Sequence, residues 1–273
     1  FHPLFSLSRA GLGWSWTYAT LQSATNNTVA FNKLHDVFTG SSGVSSLEDG
    51  GCIYHLGISS THGNFETGTK IVNNLCYAVD AWGGEGSYGS WGLYLDQASS
   101  YVTLEKNIVW QTKDGSHIHY GNENLWKNNI FADSGAYDCS SSGCQPALFR
   151  SSRHSSGEGA ISSSNLQSNI FLLTQNKSEL FYSTISDAFA NFTLDYNLYW
   201  SQAATPTPSQ LTFPPSQSPT TFPQWQAQGK DVHSMIADPM FDSLFPTFQL
   251  AQNSPAFKLG FEQIDTSQYG PRE

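Results

Sequence analysis

Apolar and polar residues alternate in short runs along this chain, and the runs end in a recurrent way. Two or three alternating positions lead to an Asn, and an apolar residue follows within two positions. The pattern reads Thr28-Val29-Ala30-Phe31-Asn32-Lys33-Leu34, then Lys70-Ile71-Val72-Asn73-Asn74-Leu75. It returns at Val102 to Val109, at Leu125 to Phe131, and in weaker form at Leu166 to Phe171 and Phe192 to Tyr199. A period of two is the signature of a strand with one buried face. The index residues are Asn32, Asn74, Asn107, Asn129, Asn169 and Asn197, separated by 42, 33, 22, 40 and 28 positions. The shortest interval is one turn of a parallel coil, and the longer ones add insertions to the same turn. No such strand buries its apolar face alone, so neighbouring copies have to stack at about 4.8 Å. Asn suits the bend because it tolerates left-handed backbone angles and bonds nearby backbone, and stacked Asn side chains are expected to bond one another. Two-residue Asn-Gly or Asp-Gly hairpin turns are scarce between the runs, which disfavours a meander.

A second strand follows each Asn-bearing segment. These are Cys52 to Gly57, Gly92 to Gln97, Ser116 to Gly121, Ala147 to Arg150 and Glu179 to Tyr182. Aligned, they put Tyr54, Tyr94 and His117 in one column and Leu56, Asp96 and His119 in another. Period two then turns Ile53, Leu93 and Leu95 inward, and Tyr94, Asp96, His117 and His119 outward as a solvent-facing ladder. The predicted fold is all-β: a single-stranded right-handed parallel β-helix of about six rungs over residues 1–200. Residues 201–235 read as a Pro/Ser/Thr-rich excursion, and residues 236–273 as a C-terminal capping segment of the same domain. Gly11 to Trp16 looks like the second strand of a rung whose first half is missing, so N-terminal rungs are expected to be absent.

Composition narrows the partners. The 273 residues carry a formal charge of −10 with only 12% charged side chains, which disfavours a nucleic-acid partner needing a basic face. No apolar run approaches a membrane span. Aromatic residues make up 14%, too many for a disordered chain. Cys139 and Cys144 are spaced compatibly with a disulfide, and Cys52 and Cys76 either pair or are simply buried. Neither pair has metal-ligand spacing with convergent His residues, so no metal or other cofactor is expected. Sequons begin at Asn26, Asn176 and Asn191. Together with the cysteines they favour a secreted or extracellular setting.

The densest chemical constellation is Glu48-Asp49-Gly50-Gly51, Asp96, Asp114, His117 and His119. Asp49 and Asp96, on adjacent rungs, are the expected catalytic pair, since glycoside cleavage uses two carboxylates. His117, His119, Tyr94, Glu48, Trp14, Trp16 and Tyr120 are the expected substrate contacts, the aromatic rings by stacking on sugar faces. Plainer roles compete: Asp49 capping a turn before two glycines, Asp96 as a solvated strand end, the histidines as surface groups, Asp114 as a turn former before Gly115.

Three strings, Leu47 to Tyr54, Gly92 to Ser100 and His119 to Asn124, resemble secreted carbohydrate-active β-helix proteins of the pectate-lyase-like superfamily. So do Ala237-Asp238-Pro239-Met240-Phe241 and Ser254 to Phe261. The resemblance is nearest to the β-helix glycoside hydrolases that include α-L-fucosidases and xylanases. It implies hydrolysis of a cell-wall polysaccharide or its oligosaccharides, with Asp49 and Asp96 carrying over as the acid and the base or nucleophile. The alternatives are a polysaccharide lyase acting on a uronate polymer, with Lys113, Arg150 or Arg153 as the available cations, and a non-catalytic glycan-binding β-helix.

Overall fold

The computed structural model describes residues 12–14, 25–37, 50–60, 63–79, 90–134, 147–152, 163–174, 179–184, 188–202, 211–215 and 218–270. The chain lays its strands down in triplets. The first is β1 (Leu12–Trp14), β2 (Thr28–Ala30) and β3 (Lys33–Val37); the second is β4 (Gly50–Ile58), β5 (Lys70–Val72) and β6 (Leu75–Val79). The third and fourth are β7 (Ser90–Ser100), β8 (Thr103–Glu105), β9 (Ile108–Thr112), and β10 (Asp114–Ile118), β11 (Leu125–Lys127), β12 (Ile130–Ser134). The fifth and sixth are β13 (Ala147–Ser151), β14 (Asn165–Gln167), β15 (Ile170–Leu173), and β16 (Glu179–Ser183), β17 (Thr193–Asp195), β18 (Leu198–Ser201). Each strand pairs in parallel with its counterpart three strands away, making three parallel sheets. Sheet A holds the first strand of every triplet, sheet B the second and sheet C the third; β19 (Met235–Ile236) extends sheet C beyond β18. The architecture is all-β and parallel, compatible with a β-helix-like solenoid.

Between the three sheets lies the main core. Sheet B contributes the middle residue of each short strand from Ile71 through Leu104, Trp126 and Leu166 to Leu194, stacked in register. Cys52 of β4 and Cys76 of β6 join sheets A and C through a disulfide within one triplet. Closing a loop of 24 residues contributes about 3 kcal/mol by restricting the unfolded chain. Cys139 and Cys144 lie outside the described residues.

The bend between sheets B and C carries the Asn ladder. Oδ1 of Asn74 accepts from both the backbone N and Nδ2 of Asn32, at 3.1 and 2.9 Å. The same double bond repeats from Asn74 to Asn107, Asn107 to Asn129, Asn129 to Asn169 and Asn169 to Asn197. The remaining amide proton is used as well: Asn107 donates to Ile71 O at 2.8 Å and Asn129 to Leu104 O at 2.9 Å. The left-handed backbone falls elsewhere than expected. It belongs to the residue before each Asn, namely Phe31, Asn73, Lys106, Asn128, Ser168 and Tyr196, with φ between 52° and 59°. That corner costs a non-glycine residue about 1 kcal/mol, and the two bonds made by the following Asn offset it.

The C-terminal segment packs along the side of the stack. Phe248, Leu250, Ala256, Leu259, Phe261 and Ile264 form a second apolar cluster with Leu75, Ile108, Ile130, Ile170 and Leu198, the first residues of successive sheet C strands. From there the tail runs back past the left-handed corners. Ser168 donates to Leu259 O, and Asn128 exchanges two bonds with Glu262. Lys106 pairs with Glu262 at 2.7 Å and accepts from Tyr269 through its carbonyl, and Gly270 N donates to Phe31 O. The end of the core beyond β18 is met instead by Leu211, Phe213 and Trp225, the last on a short helix α1 (Phe222–Gln226) capped by Thr221.

Candidate functional site

The outer face of sheet A gathers the chemistry. Its pairing puts Tyr54, Tyr94, His117, Arg150 and Tyr182 in one column. Leu56 faces Asp96 in the next column, and His119 N bonds Leu95 O alongside it. Inward positions Ile53, Leu93, Leu95, Ile118 and Phe149 join the core, whereas Tyr94 and His117 do not. The register and direction expected from sequence are therefore present. Exposure is not: Tyr94 and His117 are 1% exposed, and Asp96 and His119 4%. The column is a buried network in which rings and carboxylates pack on and bond to neighbours on adjacent strands.

Asp96 is its centre. Tyr54 donates its hydroxyl to Oδ2 at 2.6 Å, and His119 Nδ1 meets Oδ1 at 2.9 Å. Burial acts first and raises the Asp96 carboxyl. The bonds from His119, Tyr54, the Gln97 backbone and Tyr94 outweigh it and hold the group below its ordinary value. Asp96 is therefore a carboxylate, and it fixes the Nδ1 side of His119. His117 stacks flat on Tyr94, 4.7 Å and 3° apart, and its Nε2 lies 2.6 Å from Ser152 Oγ. Tyr120 packs edge-on to His119 at 5.0 Å.

A slip in parity brings in residues that simple alternation hides. Trp91 and Leu93 share parity, yet Leu93 sits in the core while Trp91 packs on Tyr94 and His117 at 4.3 and 4.5 Å. The strands turn two successive residues inward here, as Leu148-Phe149 and Leu180-Phe181 do farther along. Glycine permits this at Gly92 and Gly115. A Cβ on Gly92 would meet Val109 Cγ1 at 2.3 Å and Gly115 O at 2.4 Å, and one on Gly115 would meet Leu148 O at 2.5 Å. The slip places Trp91 opposite Asp114, to which its Nε1 donates at 2.7 Å.

Asp114 is thus no turn former. It lies in β10, fully buried, and accepts from Ala147 N at 2.6 Å and Arg150 Nε at 2.5 Å. The Arg150 guanidinium also covers the Tyr182 ring at 4.2 Å. Burial works against the arginine's charge, and Asp114 raises its pKa above the ordinary value despite that. Burial pushes the Glu179 carboxyl up, with Arg150 opposing and Asp114 adding.

Of the expected site residues, Asp96, Tyr94, His117, His119 and Tyr120 come together. Trp14 ends β1 with its backbone opposite His55. Glu48, Asp49 and Trp16 lie outside the described residues. Gly50, which follows Asp49 in sequence, pairs with Ser90, and Asp96 pairs six positions farther along at Leu56. At about 3.3 Å per residue that is about 20 Å. Tyr54 and Ser152 join the site without having been anticipated as contacts, and Arg150, expected only as a cation for the lyase alternative, is engaged by Asp114. Tyr54 was legible, because it shares the Tyr94 column; Ser152 follows its strand and carried no signal. Among the described residues no group of three or more His, Cys, Asp or Glu could hold a metal ion, and no helix is long and apolar enough to cross a membrane. A cavity of about 490 Å³ lies away from this face, between Lys33, Leu75, Gln249, Asp265 and Tyr269. It contains none of the chemistry above.

No protein-family model, no curated protein and no solved structure matches this chain.

Proposed function

We propose that this chain is a secreted right-handed parallel β-helix of the pectate-lyase-like kind that hydrolyses a neutral cell-wall glycan at the outer face of sheet A. The observation that carries the reading is the Asp96 carboxylate, held ionised between Tyr54 and His119 beside the Trp91–Tyr94–His117 aromatic wall. An ionised carboxylate among aromatic rings is what a sugar-cleaving base or nucleophile needs. Tyr54 and Tyr120, intermediate in exposure beside this wall, supply ring surface for a pyranose.

Asp96 takes the role of base or nucleophile, since a carboxyl held below its ordinary range is a poor acid. His119, bonded to Asp96 at 2.9 Å, orients that carboxylate, and the proton donor of this reading stands across the scissile bond from it. Gly50, next to Asp49, is about 20 Å along the strand from the Asp96 row, and glycosidase carboxyl pairs stand about 5–9.5 Å apart. Charge supports a neutral substrate. The described residues of the face carry Asp96, Asp114 and Glu179 against Arg150, whose guanidinium is already engaged by Asp114. A uronate polymer would meet net repulsion there, which weighs against the lyase reading. The Cys52–Cys76 disulfide supports an oxidising compartment.

The test offers neutral and uronate glycans to the protein, following new reducing ends and ultraviolet absorbance of unsaturated products. Reducing sugar without absorbance, falling about 10²–10⁴-fold in Asp96→Asn and His119→Gln and unchanged in Asp49→Asn, supports the reading. Loss in Asp49→Asn together with Asp96→Asn would return the acid role to Asp49. Unsaturated product would replace hydrolysis with elimination, and binding without either product would make the face a glycan-binding surface.

A further inference from the structure

The chain uses asparagine in two physically opposite ways. The index asparagines of the ladder are spent: both Nδ2 protons and Oδ1 of Asn74, Asn107, Asn129 and Asn169 are bonded, and these residues are at most 1% exposed. No index asparagine is followed two positions later by Ser or Thr. Asn26 and Asn191 are the reverse. Each stands in a sequon, Asn26-Asn27-Thr28 and Asn191-Phe192-Thr193, and each is exposed along with its hydroxyl residue.

Their positions in the fold are equivalent. Asn26 lies two residues before β2 and Asn191 two residues before β17. These are the first and last of the described strands of sheet B, so both asparagines flank the entry into that sheet. Five strand spacings of about 4.8 Å separate them by about 24 Å. Around Asn191 the backbone is pinned from inside: Phe192 is buried, and Lys230 Nζ donates to the carbonyls of Ala190 and Phe192. Asn26 N donates to Thr67 O. The backbone is held at both sites and the side chains face outward, the arrangement in which a bulky polar group is carried without disturbing packing.

The geometry points to Asn26 and Asn191 as N-glycan acceptors that flank the sheet A to sheet B corner at the first and last described strands of sheet B. This inference rests on the secretory setting proposed above and is independent of catalysis at Asp96. The experiment is secretion of the chain from a eukaryotic host, followed by peptide mapping with and without peptide N-glycosidase. Glycan is expected on both the Asn26 and Asn191 peptides. Asn26→Gln and Thr28→Ala each remove one mobility step, as do Asn191→Gln and Thr193→Ala, and the thermal midpoint of the enzymatically deglycosylated protein stays unchanged by each. Secreted protein with the Cys52–Cys76 bond formed but either asparagine bare would overturn the inference and leave the secretory reading intact. Retention of the chain inside the cell with those cysteines reduced would remove the secretory reading, and the inference with it.

Discussion

Asn197 donates its side-chain amide to Oδ1 of Asp231 at 3.0 Å, which ends the asparagine ladder on a carboxylate. Every amide in the row donates in the same direction, from Asn32 toward Asn197. The aligned dipoles therefore turn their positive ends toward Asp231, as a helix turns its N-terminus toward an anion. Asp231 is fully buried, and burial raises its carboxyl. Ser234, Tyr199 and Trp225 also donate to it, at 2.5, 2.9 and 2.8 Å.

This directionality makes the ladder's energetics unequal along its length. Asn129→Ala strips the acceptor of two buried donors on Asn107 and leaves Leu104 O and Asn169 Oδ1 short of a donor. It is expected to cost about 3 kcal/mol or more. Asn32→Ala, at the half-buried open end where Asn32 only donates onward, should cost about 1 kcal/mol. Asp231→Asn replaces a pure acceptor facing four donors and should resemble the interior substitution. Urea midpoints of the three variants check the order. Equal losses at Asn32 and Asn129 would refute the idea that interior amides matter more because they are doubly satisfied.

His55 gives the fold an acid-sensitive point. It is buried in the core, with its two ring nitrogens bonded to Ser99 and Ser59 at 2.9 and 2.5 Å, and burial lowers its pKa from 6.5 to about 4. The unfolded chain takes up this proton before the folded one does. The stabilisation is thus complete above pH 6.5 and drains away as pH falls toward 4, by about 3 kcal/mol. Asp96, whose folded carboxyl is lowered, loses its contribution only below the ordinary carboxylate value of 3.8, so the two windows are separate. Chemical denaturation at pH 7 and pH 4.5 measures the first window. His55→Gln should shrink the difference between those two pH values, and an unchanged difference would show that some other group is responsible.

Gly92→Ala should be among the most damaging small substitutions. The new Cβ would run into Gly115 O, a backbone atom that cannot swing aside, so β7 and β10 would have to part. A loss of about 3 kcal/mol or more is expected, with weakening of the Trp91–Asp114 bond visible as a change in tryptophan fluorescence. Gly57→Ala is the control. Its Cβ meets open space, and only the positive φ of 94° resists it, at about 1 kcal/mol. Similar midpoints for the two variants would sink the steric account.

Asp114 and Asp96 are expected to separate stability from the proposed chemistry on one face. Asp114→Asn leaves the Arg150 charge buried without its partner and should cost about 3–5 kcal/mol. Asp96→Asn keeps a Tyr54 and His119 partner in place, so its loss of stability should be smaller, while its effect on the proposed glycan cleavage should be larger. Thermal midpoints and turnover measured on the same preparations check this, and the reverse order would move the chemistry to the Asp114–Arg150 pair.

The stacking register was readable from the amino-acid order because each triplet meets only its neighbours. Every copy therefore has to repeat the same apolar positions and the same Asn, and the indices Asn32 to Asn197 appear without any knowledge of long-range contacts. The alignment of Tyr54, Tyr94 and His117, and of Asp96 beside His119, followed from that register. Three-dimensional packing decided the rest. The left-handed corner moved to the residue before each Asn, since the Asn must keep its amide in line with the next one. The Tyr94–Asp96–His117–His119 columns are buried, with rings stacked and Asp96 bonded across strands, which alternation cannot reveal. Trp91 turned outward because Gly92 and Gly115 let the strands slip by one residue, and that depends on how close two backbones approach. Period and spacing are local properties written along the chain; burial, strand slip and charge pairing are set only when distant segments meet.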